Sequence, residues 1–248
     1  MHLTISLSFI LFALCVVAYF LKWLSFSGAI AAFFTALILG YGGLEFFYLP
    51  MLLLIGGTLL SKLNKHTSDK NGRNAKQVLA NGSIGLTCLI LYYNSHNTVF
   101  FIAYLLSFSV SICDTFSSEI GKFFKGATID ILTLKPITKG LSGGISIKGT
   151  IGGFVGAMMC SLIAILLLNI QLSESIAIGL IGFIGMLVDS LMGSIFQAKY
   201  KNIHTEAIEE DKNLANKLIK GYAWCSNDLV NLLSNAITVI LFIAIQLL

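Results

Sequence analysis

Charge is scarce in this chain: only 11% of its 248 residues are Asp, Glu, Lys or Arg, and three of its seven inter-span loops hold no base at all. A surface that poor in charge excludes an ordinary soluble domain. Cysteine is sparse too, with Cys15, Cys88, Cys113, Cys160 and Cys225 forming no CxxC pair and four of them inside apolar runs. That excludes a disulfide framework or a zinc site and leaves small buried hydrophobes. The four histidines, His2, His66, His96 and His204, are scattered and take no role. A basic stretch ahead of the first apolar run is missing, so a cleaved signal peptide is not expected. Proline is rare (2) where glycine is not (23). What fills the chain is apolar: 56% hydrophobic residues and a mean hydropathy of +0.86, the mark of a polytopic membrane protein.

One crossing of a bilayer takes about 20 apolar residues, so eight crossings use most of the length. The expected spans run from about Leu3 to Leu21, Gly28 to Leu39, Phe46 to Leu60, Gln77 to Tyr93, Val99 to Ser118, Gly149 to Ile170, Ile176 to Phe196 and Asn227 to Leu248. This cut places all 16 Lys and Arg residues in the loops after the first, third, fifth and seventh spans. Basic loops stay cytoplasmic during insertion. The expected fold is therefore an all-α polytopic helix bundle of about eight transmembrane spans in the cytoplasmic membrane. Both termini lie outside, in a single integral membrane domain over residues 1–248. The net charge of +4 is confined to those loops; it points to lipid headgroups and not to nucleic acid. A homodimer is compatible with such a chain. Glycines at 152, 153 and 156, and again at 179, 182 and 185, mark small faces on the sixth and seventh spans that allow close helix packing.

Several polar groups sit where hydrocarbon makes them costly: an Asp at a helix centre costs about 2.5–3.5 kcal/mol on insertion scales. Asp114 and Glu119 lie at the inner end of the fifth span, Asp189 near the inner end of the seventh, and Asp228 opens the eighth. Asp189, Gly193 and Gln197 are four apart and share a helical face; so do Arg73, Gln77 and Asn81, and Asn227, Asn231 and Asn235. Asp114 and Glu119 are five apart, about 140° round a helix, and share one ion only if the helix is irregular or the ion lies between their faces. Amides of this kind also serve as hydrogen-bonding contacts between helices. Three buried carboxylates repel one another unless a cation or several bases offset them, and oxygen ligands suit a hard ion such as Mg²⁺. The stretch from Lys139 to Thr150 holds Gly140, Gly143, Gly144 and Ser146 between Lys139 and Lys148. It reads either as a flexible turn or as a phosphate-binding loop whose free N–H groups open the sixth span. It is not a Walker A sequence. Carboxylates, glycine loop and bases on one membrane face suggest a polyphosphate site with a lipid as the other substrate.

These pieces, in order, resemble a known family. They are Gly72-Arg73-Asn74-Ala75 running into Gln77-Val78-Leu79-Ala80-Asn81-Gly82; Asp114-Thr115-Phe116-Ser117-Ser118-Glu119; Gly143-Gly144-Ile145-Ser146; Asp189-Ser190-Leu191 with Gly193 and Gln197; and Asn227-Asp228 with Asn231. The family is the integral membrane "domain of unknown function 92", that of the phytyl-phosphate kinases and transmembrane protein 19. Its aromatic in the second motif is often Trp, where this chain has Phe116. The resemblance implies a prenyl-phosphate kinase. It would convert a polyprenyl monophosphate to the diphosphate with a nucleoside triphosphate, CTP in the plant case, and Mg²⁺. On that reading Asp114, Glu119 and Asp189 carry catalysis and bind metal, with Asp228 as a further ligand. Arg73, Asn74, Lys139, Gly143, Gly144, Ser146 and Lys148 contact phosphates, and Gln77, Asn81, Gln197, Asn227 and Asn231 orient substrate. A lipid-phosphate cytidylyltransferase-like enzyme and an ion-coupled transporter are the alternatives.

Overall fold

The computed structural model describes residues 5–64, 72–213 and 215–248. His2, and Lys65, His66 and Lys70 of the second basic loop, lie outside the described residues. Among those described, eight helical segments follow in order: α1 Ile5–Phe20, α2 Phe26–Gly42, α3 Leu44–Leu63, α4 Ala75–Ser95, α5 Thr98–Phe123, α6 Ile147–Leu168, α7 Leu172–Ile195 and α8 Asn227–Leu247. Side-chain caps fix several starts. Ser25 Oγ accepts from the Gly28 N–H at 3.2 Å, which sets the start of α2 two residues before the expected Gly28. Ser146 and Ser226 cap α6 and α8 in the same way.

Five of these helices are long and apolar enough to cross a bilayer: α3, α5, α6, α7 and α8. α1 and α2 are apolar but shorter; the 17 residues of α2 reach about 26 Å against a hydrocarbon core of about 30 Å. α4 has the length but carries Lys76, Gln77, Asn81 and Asn94, which lower its hydropathy.

α5 is the axis of the bundle. Its residues from Ala103 to Cys113 are all buried, surrounded by α3, α4, α6, α7 and α8. The glycines of α6 make that packing close. A Cβ at Gly152 would stand 2.9 Å from the Phe116 carbonyl of α5, so a side chain there would push the helices apart. Tyr104, buried on α5, donates its hydroxyl to the Phe46 carbonyl and ties the axis to α3.

α3 is irregular. A 3₁₀ turn over Leu44–Phe47 leads through Tyr48–Met51 into a π-turn at Leu52–Gly56, and α-helix resumes over Gly57–Leu63. Such π-turns concentrate at functional sites.

The stretches read as plain loops between the fifth and sixth spans and after the seventh contain strands. β1 (Ile129–Asp130) pairs antiparallel with β2 (Gly144–Ile145), setting Asp130 opposite Gly144. β3 (Lys199–Asn202) lies between β4 (Ile208–Glu209) and β5 (Asn216–Lys220), antiparallel to both. The all-helical bundle thus carries two small sheets, both formed by its basic loops.

Candidate functional site

The loops that follow α1, α3, α5 and α7 meet around one cleft of about 830 Å³. Lys22, Lys62, Lys122, Lys139, Glu210 and Asp211 line it from those four loops and the adjoining helix ends. Five of the bases counted as topology signals, Lys22, Lys62, Arg73, Lys122 and Lys139, therefore share one cleft.

Helix ends form the floor. Asp114 of α5 and Asp189 of α7 both line the cleft. Asp189 is held by α8: Ser234 donates its hydroxyl to Oδ2 at 2.8 Å, and Asn231, with its amide nitrogen turned inward, donates to the same oxygen at 3.1 Å. Asn227 and Asp228 line the cleft beside Asn231. The next amide of that stripe, Asn235, is deeper and donates to the Ser107 carbonyl and Ser111 Oγ, a contact between helices. Asn81 lines the cleft from α4 while its amide donates back to the Gln77 carbonyl. Gln197 is buried at 1% exposure, lines the cleft, and its Oε1 has no hydrogen-bond partner among the described residues.

Glu119 also lines the cleft but is engaged, accepting from Asn64 Nδ2 at 2.9 Å and pairing with Lys122 at 3.4 Å. Among the described residues no three His, Cys, Asp or Glu side chains converge as a metal cluster. The four carboxylates expected as ligands thus share a cleft without forming one ligand set.

Arg73 shapes the rim. Its backbone is bonded on both sides of the α1–α2 turn: its N–H donates to the Trp23 carbonyl and its carbonyl accepts from the Ser25 N–H, each at 3.0 Å. Its guanidinium donates to the Leu53 carbonyl in the π-turn at 3.1 Å, across Gly57, where a Cβ would stand 2.3 Å from Nη2. Asn74 and Gln77 both line the cleft and form the capping box of α4, each side chain accepting from the other's N–H.

The glycine loop forms another wall. Gly143, Gly144 and Ser146 line the cleft; Gly143 has a φ of +79°, and a Cβ on it would stand 2.6 Å from Ser194 Cα. Lys139 lines the cleft and donates to the Phe124 carbonyl at 2.9 Å. Lys148 does not line it; its ammonium lies 5.0 Å from the Phe124 ring centroid and is exposed.

Sequence reasoning missed a second polar group behind this loop. Asp130 is buried, accepting from the Leu132 and Thr133 N–H groups, from Ser194 Oγ at 2.7 Å and from Lys220 at 3.4 Å. Burial opposes its charge, but these donors prevail and hold its carboxyl well below the usual range. Glu210 reaches in from the three-stranded sheet to accept the Ser142 N–H. Burial pushes its carboxyl up, with that N–H and Lys199 offsetting part of the effect. Lys199 is buried, and burial together with Lys220 pushes its ammonium down. Thr58 of α3 was missed as well: it lines the cleft, buried, and its hydroxyl has no partner among the described residues. The run Asn216-Lys217-Leu218-Ile219-Lys220 does not alternate, so the sequence carried no strand signal there.

An integral membrane helix bundle with a polar cleft at one end is thus the class that fold and site define. The chain belongs to the integral membrane protein family DUF92, matched over residues 9–239. It is 34% identical over 148 residues to an uncharacterized membrane protein of Methanocaldococcus jannaschii, covering 59% of this chain and 61% of that one. It is 26% identical over 182 residues to the chloroplastic protein VTE6 of Arabidopsis thaliana, covering 71% and 49%. It is 30% identical over 107 residues to an uncharacterized membrane protein of Synechocystis, covering 43% and 42%. The matched stretches take up about half the length of these curated relatives. No solved structure matches the chain.

Proposed function

We propose that this chain is a phosphotransferase of the cytoplasmic membrane that converts a polyprenyl monophosphate to the diphosphate, with a nucleoside triphosphate, CTP first, as donor. All eight helices cross the bilayer in this reading, with both termini outside and the cleft facing the cytoplasm. The observation that carries it is the convergence of Asp114, Asp189, the amides of α4 and α8, the glycine loop and Arg73 on one cleft ringed by lysines.

The chemistry asks for little more than holding anions together. A phosphate monoester has a second pKa near 6, so the lipid phosphate is largely dianionic at pH 7 and needs no strong base. Its terminal oxygen forms a bond to the γ-phosphorus. The bond from that phosphorus to the bridging oxygen breaks, and the electron pair leaves with the nucleoside diphosphate. Arg73 and Lys139 hold phosphate oxygens, the N–H of Gly143 approaches them closely while that of Gly144 is spent on the Leu141 carbonyl at 3.1 Å, and Gln77, Asn81, Gln197, Asn227 and Asn231 orient the reactants. Magnesium, when bound, would neutralise oxygens of the transferring phosphates. Its support is the donor set: Mg²⁺ is usually bound by one or two carboxylates, with water and phosphate completing the shell, which suits the Asp114–Asp189 pair. Glu119 and Asp228 stand as outer partners.

Purified protein supplied with CTP or ATP and a panel of prenyl monophosphates should release nucleoside diphosphate and lipid diphosphate. Pyrophosphate with a nucleotidyl lipid would instead favour the cytidylyltransferase reading, and no lipid product with any pair would sink both.

A further inference from the structure

Beside the polar cleft lies a second cavity of about 140 Å³ between α1, α2, α3 and α4. Its walls are apolar: Leu14 and Ala18 of α1, Ala36 of α2, Leu53 and Leu54 of α3, and Val78 of α4 are among them. Three polar residues, Arg73, Gln77 and Asn81, line both cavities. Gln77 and Asn81 share one face of α4, and Arg73 stands just ahead of its cap, Asn74, so the three mark the boundary between the cavities. Along α4 the step from Gln77 to Asn81 covers about 6 Å.

We propose that this groove holds the phosphate-proximal carbons of the prenyl chain, with its phosphate passing that boundary into the cleft. The inference rests on the prenyl-phosphate reading above and adds where the lipid lies and which residues select it. Three features support a single chain. The cavity is small, about 140 Å³, room for the first carbons of one chain. Leu14, half exposed at 50%, leaves the groove open to the bilayer at α1, so the rest of the chain can run into the membrane. The π-turn of α3 forms one wall of the groove, and its Leu53 carbonyl anchors the Arg73 guanidinium at the junction. Apolar contact and phosphate contact thus meet at one residue, as an amphiphile with one charged end requires.

Photo-crosslinking tests this without turnover. Geranylgeranyl monophosphate bearing a diazirine on its first isoprene unit is irradiated with the intact protein in nanodiscs, and adducts are mapped by mass spectrometry. Adducts on peptides holding Leu14, Ala36, Leu54 and Val78, competed by unlabelled geranylgeranyl monophosphate, are expected. Ala36→Trp, which fills the groove, should cut labelling and raise the lipid KM by about tenfold or more, with the nucleotide KM unchanged. Adducts confined to α6, α7 or α8, no competed adduct, or equal labelling by a diazirine phosphatidic acid would overturn the proposal. Adducts in the groove with no lipid diphosphate from any nucleotide would keep the groove and remove the kinase reading. Diphosphate formed with adducts elsewhere would do the reverse.

Discussion

Ser194, in the last turn of α7, donates its hydroxyl to Asp130 Oδ2 at 2.7 Å, joining residues 64 apart in the chain. The bond fixes the glycine loop against the helix that carries Asp189. Asp130→Asn should therefore loosen the loop, at a cost of about 1.5–3 kcal/mol for a charge-assisted bond. The sign of its pH dependence follows from a carboxyl held low in the folded protein. Its contribution is present above the ordinary carboxylate value and is lost as pH falls through the lowered one. Thermal unfolding in detergent should show the gap between wild type and variant at pH 7 persisting to about pH 4 and closing only in stronger acid.

Glu210 carries the opposite sign. Its carboxyl is raised by burial, so its charging opposes the docking of the three-stranded sheet as pH climbs above the usual glutamate value. Hydrogen exchange over residues 199–220 should be slower at pH 5 than at pH 7 after correction for intrinsic rates. Glu210→Gln, which still accepts the Ser142 N–H, should flatten that difference.

Two glycines separate backbone strain from crowding. Gly140 and Gly143 both have positive φ, +90° and +79°, but a Cβ at Gly140 meets nothing within 4 Å while one at Gly143 meets Ser194. Gly140→Ala should cost about 1–2 kcal/mol. Gly143→Ala should cost clearly more and lower turnover, measured as Tm and as lipid diphosphate formed. Equal losses would mean that the loop's contact with α7 contributes little.

Asp114→Asn and Asp189→Asn should each lower turnover by about 10²–10³ while the protein still inserts and unfolds cooperatively. Near-wild-type turnover in either would remove that carboxylate from the metal assignment.

Thr58→Val keeps the volume and deletes a hydroxyl with no partner among the described residues. Replacing such a group is close to neutral for folding, whereas a lost bond to substrate costs about 0.5–1.5 kcal/mol. Unchanged Tm with a severalfold higher KM for lipid or nucleotide is the expected result; unchanged KM for both would leave Thr58 without a role in binding.

Hydropathy and periodicity made the helices legible because a bilayer demands long apolar runs. The pairs Gln77 and Asn81, and Asn227 and Asn231, could be read because four-residue spacing on a helix fixes a face; Arg73 lies ahead of the α4 cap and reaches the same cleft through its bonds to the α1–α2 turn. The same spacing could not tell Asn231, beside Asp189, from Asn235, which bonds Ser107 and Ser111; depth along the helix decides that. Asp130 looked like any loop carboxylate, because beside its local donors Leu132 and Thr133 its partners on Oδ2, Ser194 and Lys220, come from far along the chain. Lys148 looked like a phosphate ligand from its place beside the loop, yet it turns to the Phe124 ring.

The backbone clamp on Arg73 has a mechanical consequence. Trp23 and Ser25 hold Arg73 from both sides, and Gly28 packs so tightly on its carbonyl that an added Cβ would stand 2.0 Å from the oxygen. The hinge of the α1–α2 hairpin and the rim of the cleft are therefore one rigid piece. Among the described residues α1 and α2 are also the shorter apolar helices of the bundle. Whatever displaces that hairpin also displaces Arg73, which lines the cleft.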